Sequence, residues 1–294
     1  MHIEVIDQRV PDNFDLFCNP WMKYGFLVAT VGEKAVSYLY DYTFRLYELA
    51  DCAKITFVNV IWLDYYKDRV GNNERALTEC DEHTKSIAEK CKDKHLYVLS
   101  ELDDIHAAKQ CVDLANGNGK EGLSVLITHK NSNKLKYFSE VKNAFNIVIY
   151  LPDEAEYVAE ILKWIICDYT APGWIGVDYE DACRILKQSR EAICRKVSYE
   201  NAHDMKDNFQ NDLLIQDYIP YNPKEEEVNR LLGVWIPHDF NPEDFDFIYE
   251  KIRESARGDI AICGLDNEKE TDKSWTIALL SGVAKKQDEG IEYM

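Results

Sequence analysis

The run KITFVNVIWLDYY (54–66) is β-branched, aromatic and apolar on both faces that a strand would present. Such a strand needs cover on both sides, which is the situation in a parallel sheet sandwiched between helices. The flanking sequence supplies the rest of that sheet. GFLVATV (25–31), HLYVLS (95–100), LSVLITH (123–129) and NIVIYL (146–151) read as further strands. Between the first two strands, Ala35, Val36, Leu39, Tyr40, Thr43, Leu46 and Tyr47 recur at helical spacing. Residues 71–92 read as a polar surface helix or a helix plus a loop, and 103–115 and 133–145 as helices. The helix from Asp103 stops at Asn116-Gly117-Asn118-Gly119, a strong terminator. Alternation of strand and helix over 25–151 predicts an α/β fold with a Rossmann-like, doubly wound layer.

The rhythm then changes. DEAEYVAEILKWIICDY (153–169) is a long helical pattern opened by Pro152-Asp153 and stopped before Pro172-Gly173. Its apolar residues cover more than one face, as expected of a helix held between two layers. Residues 179–197 read as a helix and then a strand. LLGVWIP (231–237), a helix from Pro242 to Ala256, DIAICGL (259–265) and WTIALLSGVA (275–284) follow. That succession is α+β. The expected organisation is a Rossmann-like domain at 1–152, a central connecting helix and loop at 153–178, and a small α+β domain at 179–294.

Charge excludes some functions. Lys and Arg number 34 against 53 Asp and Glu, a net charge of −19, which repels phosphate backbones and anionic lipid. Neither nucleic-acid binding nor direct membrane insertion is expected, and the chain reads as a cytoplasmic protein without an export signal. The 9 Cys are scattered without a C-x-x-C pair, so no disulfide framework or metal site is expected, and the thiols read as small buried apolar groups. His129, Lys130 and Lys134 read as a small, solvated basic cluster. Arg184, Lys187, Arg190, Arg195 and Lys196 read as solvated charge, with an interaction patch as the sharper alternative.

Residues 172–186, Pro-Gly-Trp-Ile-Gly-Val-Asp-Tyr-Glu-Asp-Ala-Cys-Arg-Ile-Leu, resemble the P-G-L-I-N-x-D-F-A-D stretch of FtsZ, the bacterial tubulin homologue. Downstream, Leu232 to Ile236, Phe245 to Ala256, Ile260 to Gly264 and Thr276 to Val283 follow the element order of that family. The resemblance implies a tubulin/FtsZ-like fold and assembly through contacts with itself or with another subunit of this kind. In the family the stretch after the central helix is the synergy loop, which reaches the neighbouring subunit's nucleotide. Carried over residue by residue, Asp178 and Asp181 match its two aspartates, and Gly173, Trp174 and Gly176 fall in the interface segment. Gly176 replaces the family's asparagine. The plain alternative makes Asp178 a helix N-cap and places Asp181 in the first turn.

The nucleotide loops depart from the family. Its glycine-rich loop lets backbone N–H groups approach phosphate, yet here HLYVLS runs into Glu101-Leu102-Asp103-Asp104 without a glycine. The first loop is reduced to Thr30-Val31-Gly32-Glu33-Lys34, and Trp62 and its apolar neighbours replace the family's N-T-D. No cofactor is therefore expected; GTP or GDP would bind only if a pocket survives at Gly32 and Lys34. The leading expectation is a pseudo-GTPase acting through protein–protein association, as filament subunit, cap or modulator. The alternatives are a GTP-hydrolysing polymer with an atypical pocket and an unrelated Rossmann-like ligand-binding protein.

Overall fold

The computed structural model describes residues 26–31, 55–59, 95–102, 105–117, 122–129, 138–151, 164–165, 179–214, 227–255, 257–267 and 271–285. The chain divides into two compact units, Met1–Pro172 and Gly173–Met294.

The first unit carries strands β1 (Phe26–Val31), β2 (Ile55–Asn59), β3 (His95–Ser100), β4 (Ser124–His129) and β5 (Ile147–Leu151). They are ordered β2-β1-β3-β4-β5, with every neighbouring pair parallel. All of β4 and β5 is buried, as is β3 beyond His95. That burial is why these segments read as unbroken apolar runs. The order reverses between β1 and β3: the chain leaves β1 for β2 on one side and returns as β3 on the other. Helix α1 (Ile105–Gly117) buries Ala107, Ala108, Cys111 and Ala115. These small residues, three and four apart, lie on one face of the helix. Helix α2 (Phe138–Ala144) buries Phe138 and Val141, with the Phe138 ring 6.3 Å from that of Tyr150. Trp164 and Ile165 are fully buried. The remainder of the helix expected at 153–169 lies outside the described residues, as do the helical patterns at 35–49 and 71–92.

Burial pushes the Cys111 thiol from 9.0 up to about 12, against a smaller opposing effect of its hydrogen bond with Ser100. The folded chain thus keeps a proton that the unfolded chain loses, so stability falls as pH rises from about 9 towards 12 and is unaffected by this group below that window. Urea denaturation of wild type and Cys111→Ala at pH 8 and pH 10.5 is expected to show a shallower alkaline loss in the variant. Equal losses would remove Cys111 as a cause.

The second unit carries β6 (Ser189–Tyr199), β7 (Val228–Ile236), β8 (Ile260–Asp266) and β9 (Trp275–Ala284), ordered β6-β9-β7-β8. β9 is antiparallel to both of its neighbours, whereas β7 and β8 are parallel. Parallel neighbours need a crossover, and α5 (Pro242–Ser255) supplies it. Pro242 suits a first helical position because its missing N–H would have no intrahelical partner. The Asn241 side chain just before it accepts the Glu243 N–H at 3.2 Å. One side of the sheet packs Leu232, Val234, Ile236, Trp275, Ile277 and Leu279 against Phe245, Ile248 and Ile252 of α5.

A helix that no pattern in the sequence analysis predicts also joins this core. α4 (Ala202–Phe209) contributes Met205 and Phe209, and a π-helical turn, Gln210–Leu214, extends it. Asn201 caps α4 by accepting the N–H groups of His203 and Asp204, each at 3.0 Å. In return the Asp204 carboxylate accepts the Glu200 N–H at 3.1 Å. Helix α3 (Tyr179–Gln188) buries Tyr179, Ala182, Cys183, Ile185 and Leu186. Ser189, at its end, donates to the Ile185 carbonyl at 2.8 Å and accepts from the Asn229 side-chain amide at 3.2 Å.

Candidate functional site

In doubly wound sheets ligands bind beyond the carboxyl ends of the strands, at the point where strand order reverses. Here that point lies between β1 and β3, whose last residues, Val31 and Ser100, are paired in register. The turn leaving β3 is Ser100-Glu101-Leu102. Among the described residues Leu102 is the non-glycine residue with positive φ, at 53°. Its side chain is fully buried, and its N–H is held by the Ser100 hydroxyl at 3.0 Å. Left-handed backbone costs a leucine about 1–2 kcal/mol, whereas full burial of its side chain returns about 1.5–3 kcal/mol. Burial wins, so the turn is held by what lies beneath it.

The Glu101 carboxylate contacts His129 Nδ1 at the carboxyl end of β4. Both side chains are largely buried, at 14% and 8% exposure. This corrects the expectation that His129 belongs to a solvated basic cluster: it ends a wholly buried strand and faces a carboxylate. Their encounter follows from the parallel β3–β4 pairing, Leu99 against Ile127. It joins residues 28 apart in sequence, which no local pattern announces. Among the described residues no group of three or more His, Cys, Asp and Glu is placed to hold a metal ion, and no helix is long and apolar enough to cross a membrane.

In the second unit Asp181 stands in the first turn of α3, where a carboxylate favours the helix N-terminus. It pairs with Arg184 at 3.0 Å, and Arg184 reaches Asp259, beyond α5, at 3.8 Å. Both pairs are about half exposed, so each adds little stability. Asp259 is itself anchored, its N–H donating to the Asn229 side chain at 3.1 Å. Two of the basic residues further along have partners of their own. Lys196 lies 5.0 Å from the Trp235 ring centre, and Arg195 donates to the Asp212 carbonyl at 3.0 Å. Asp178, Gly173, Trp174, Gly176, Gly32 and Lys34 lie outside the described residues, as do Asp103 and Asp104.

A parallel sheet with its reversal between the first and third strands, together with a second, α+β unit of mixed strand direction, defines an FtsZ/tubulin-like α/β fold. Solved structures of that class share it over most of their length. FtsZ from M. jannaschii matches with a TM-score of 0.64 at 14% identity, covering 93% of this chain and 96% of that one. CetZ from Methanosaeta thermophila matches at 0.64 and 11%, covering 88% and 86%. TubZ from Bacillus thuringiensis, solved as GDP-form protofilaments, matches at 0.61 and 11%, covering 90% and 87%. No protein-family model matches the chain, and no curated protein matches it by sequence. The likeness is one of fold.

Proposed function

We propose that this chain is an FtsZ/tubulin-like assembly protein that works through protein–protein association and does not turn over GTP. The observation that carries the reading is the Ser100-Glu101-Leu102 turn. A buried leucine and a carboxylate engaged by His129 stand at the strand-order reversal. The resembled family places phosphate-binding glycines there. A turn without a glycine, bearing negative charge, offers phosphate neither close backbone approach nor attraction. Self-association is supported by the neighbours: the M. jannaschii FtsZ is a dimer and the Bacillus thuringiensis TubZ forms protofilaments. The face we assign to association is the segment with Gly173, Trp174, Gly176, Asp178 and Asp181.

The test is nucleotide content and affinity. Purified protein is denatured, released nucleotide is separated by ion exchange, and the chain is titrated with GTP and GDP calorimetrically. We expect no bound nucleotide and no heat at millimolar GTP. Stoichiometric GDP or micromolar binding would overturn the reading in favour of a GTP-driven polymer. The neighbours support that second reading to the extent that a Haloferax volcanii CetZ is a GTPγS-bound protofilament. The association face has its own check. Asp178→Ala with Asp181→Ala is expected to weaken self- or partner association at least tenfold, about 1.4 kcal/mol, in sedimentation velocity. Unchanged association in a folded variant would sink the assignment.

A further inference from the structure

Helix α3 carries Asp181, and its 10 residues are too few to hold a helix in water by themselves. Its buried face, from Tyr179 to Leu186, binds it to the second unit, but apolar contact is non-directional and permits sliding and rotation. Polar contacts fix its place. The carbonyls of a helix's last turn have no partner within the helix, and α3 finds outside donors for them. Ile185 accepts from the Ser189 hydroxyl at 2.8 Å, Lys187 from Lys285 Nζ at 2.6 Å, and Gln188 from the Lys285 N–H at 2.7 Å. The Ser189 hydroxyl in turn accepts from the Asn229 side-chain amide of β7 at 3.2 Å, and the other end of that amide accepts the Asp259 N–H at 3.1 Å. β9 closes on the same hydroxyl, since a Cβ on Gly282 would stand 2.6 Å from it. Asparagine is depleted in strands, and an amide 4% exposed is costly to bury unless it is hydrogen-bonded. Asn229 is bonded at both ends. Asp259 is therefore gripped twice, by Asn229 at its N–H and by Arg184 of α3 at its carboxylate.

We propose that Asn229 is a positioning residue for association: through Ser189 and Asp259 it fixes the seat of α3 on β7 and β8, and with it the place at which α3 presents Asp181 to a second copy of the chain. This rests on the association face assigned above. It adds that the face is set from beneath, by an amide too deeply buried for a neighbouring subunit to touch. Asp181 is 43% exposed and pairs with Arg184 on the same helix, so a shift of α3 carries its carboxylate along. The two attachments of α3 lie on different sides of the helix, one buried at Ile185 and one exposed at Arg184, and together they oppose its rotation. Removing the amide loosens the first and frees Asp259 at the base of the second. The exposed pairs that remain add little by themselves.

The test uses the full chain as wild type, Asn229→Ala, Ser189→Ala, the aspartate pair variant Asp178→Ala with Asp181→Ala, and Asn229→Ala combined with that pair. Hydrogen exchange is read at the amides of α3 and, as an internal control, of α5; self-association is read by sedimentation velocity. Asn229→Ala is expected to speed exchange in α3 about tenfold while α5 stays as in wild type, a local loosening that global destabilisation would not produce. It is also expected to weaken association about tenfold. Added to the aspartate pair, it is expected to cost nothing further, because both changes act through one face. Ser189→Ala, which removes only the hydroxyl, is expected to do the same to a lesser degree and decides the matter if Asn229→Ala fails to fold. Unchanged α3 exchange in a folded variant would overturn the seating role. Full association despite a loosened α3, or a loss that adds to that of the aspartate pair, would overturn positioning while leaving the assigned face standing. An aspartate pair variant that associates like wild type would instead overturn the face, and a wild type monomeric at every concentration would overturn self-association; either result takes the role of Asn229 with it.

Discussion

Gly258→Ala is expected to destabilise the folded chain by on the order of 3–5 kcal/mol. Gly258 sits between α5 and β8 with φ at +139°, a backbone region that side-chain-bearing residues rarely adopt. A Cβ there would stand 2.5 Å from the Val228 carbonyl oxygen and 2.7 Å from its carbon. Those atoms belong to the backbone at the start of β7 and cannot swing aside as a side chain could. The turn is also pinned on both sides of the glycine. The Val228 N–H donates to the Arg257 carbonyl at 2.5 Å, the Asp259 N–H to Asn229 at 3.1 Å, and the Arg230 N–H to the Asp259 carbonyl at 2.8 Å. Relief of the clash must therefore break contacts that align β7 with β8. Gly117→Ala is the control, because a Cβ at the end of α1 meets nothing within 4 Å. That change is expected to be neutral or to stabilise by about 0.4–1 kcal/mol through the unfolded state. Urea titrations of both variants decide it, and similar small effects would show that the turn yields cheaply.

Trp275→Ala is expected to cost about 3–5 kcal/mol through lost burial and the cavity left behind. Trp275 opens β9, is 2% exposed, and belongs to the cluster that joins the sheet to α4 and α5. The Phe240 ring meets it edge-on, with ring centres 6.1 Å apart. Its register partner is Tyr199 at the end of β6, so the cavity would also unsupport a buried phenol. Burial, with Asp212 and Asp204 nearby, holds that phenol above the usual tyrosine range. Trp275→Phe should recover part of the loss, since an aromatic body remains against Phe240. Guanidinium denaturation with near-ultraviolet circular dichroism measures the series. A loss below about 1 kcal/mol for alanine would mean that the cluster collapses around the gap.

Much of the fold was legible because each signal was local. HLYVLS, LSVLITH and NIVIYL read as strands because buried parallel strands tolerate no polar face, and the structure buries them almost completely. Pro242 and the apolar spacing of Phe245, Ile248 and Ile252 marked α5, which the structure places at Pro242–Ser255. Helix α4 was missed although its cap was in plain view. Asn201 followed three residues later by Asp204 is a helix-start pattern, and the polar character of AHDMKDNF obscured the two core residues that it supplies. Of the candidate site, the absence of glycine after β3 was readable, as was the place of Asp181 in a first turn. The His129–Glu101 contact was not, and the nearby lysines pointed to a solvated cluster.

The sequence by itself determined most of the strands, the helix at Pro242, and that the turn after β3 has no glycine with which to cradle phosphate. Those properties depend on side-chain periodicity and backbone preference within a few residues. Only the tertiary structure decided that Leu102 is held left-handed by burial, that Glu101 is withdrawn onto His129, and that Gly258 admits no side chain because of Val228. The last two of these outcomes depend on strand pairing that brings together residues roughly thirty positions apart, and register is set by the packing of the whole sheet rather than by either segment alone.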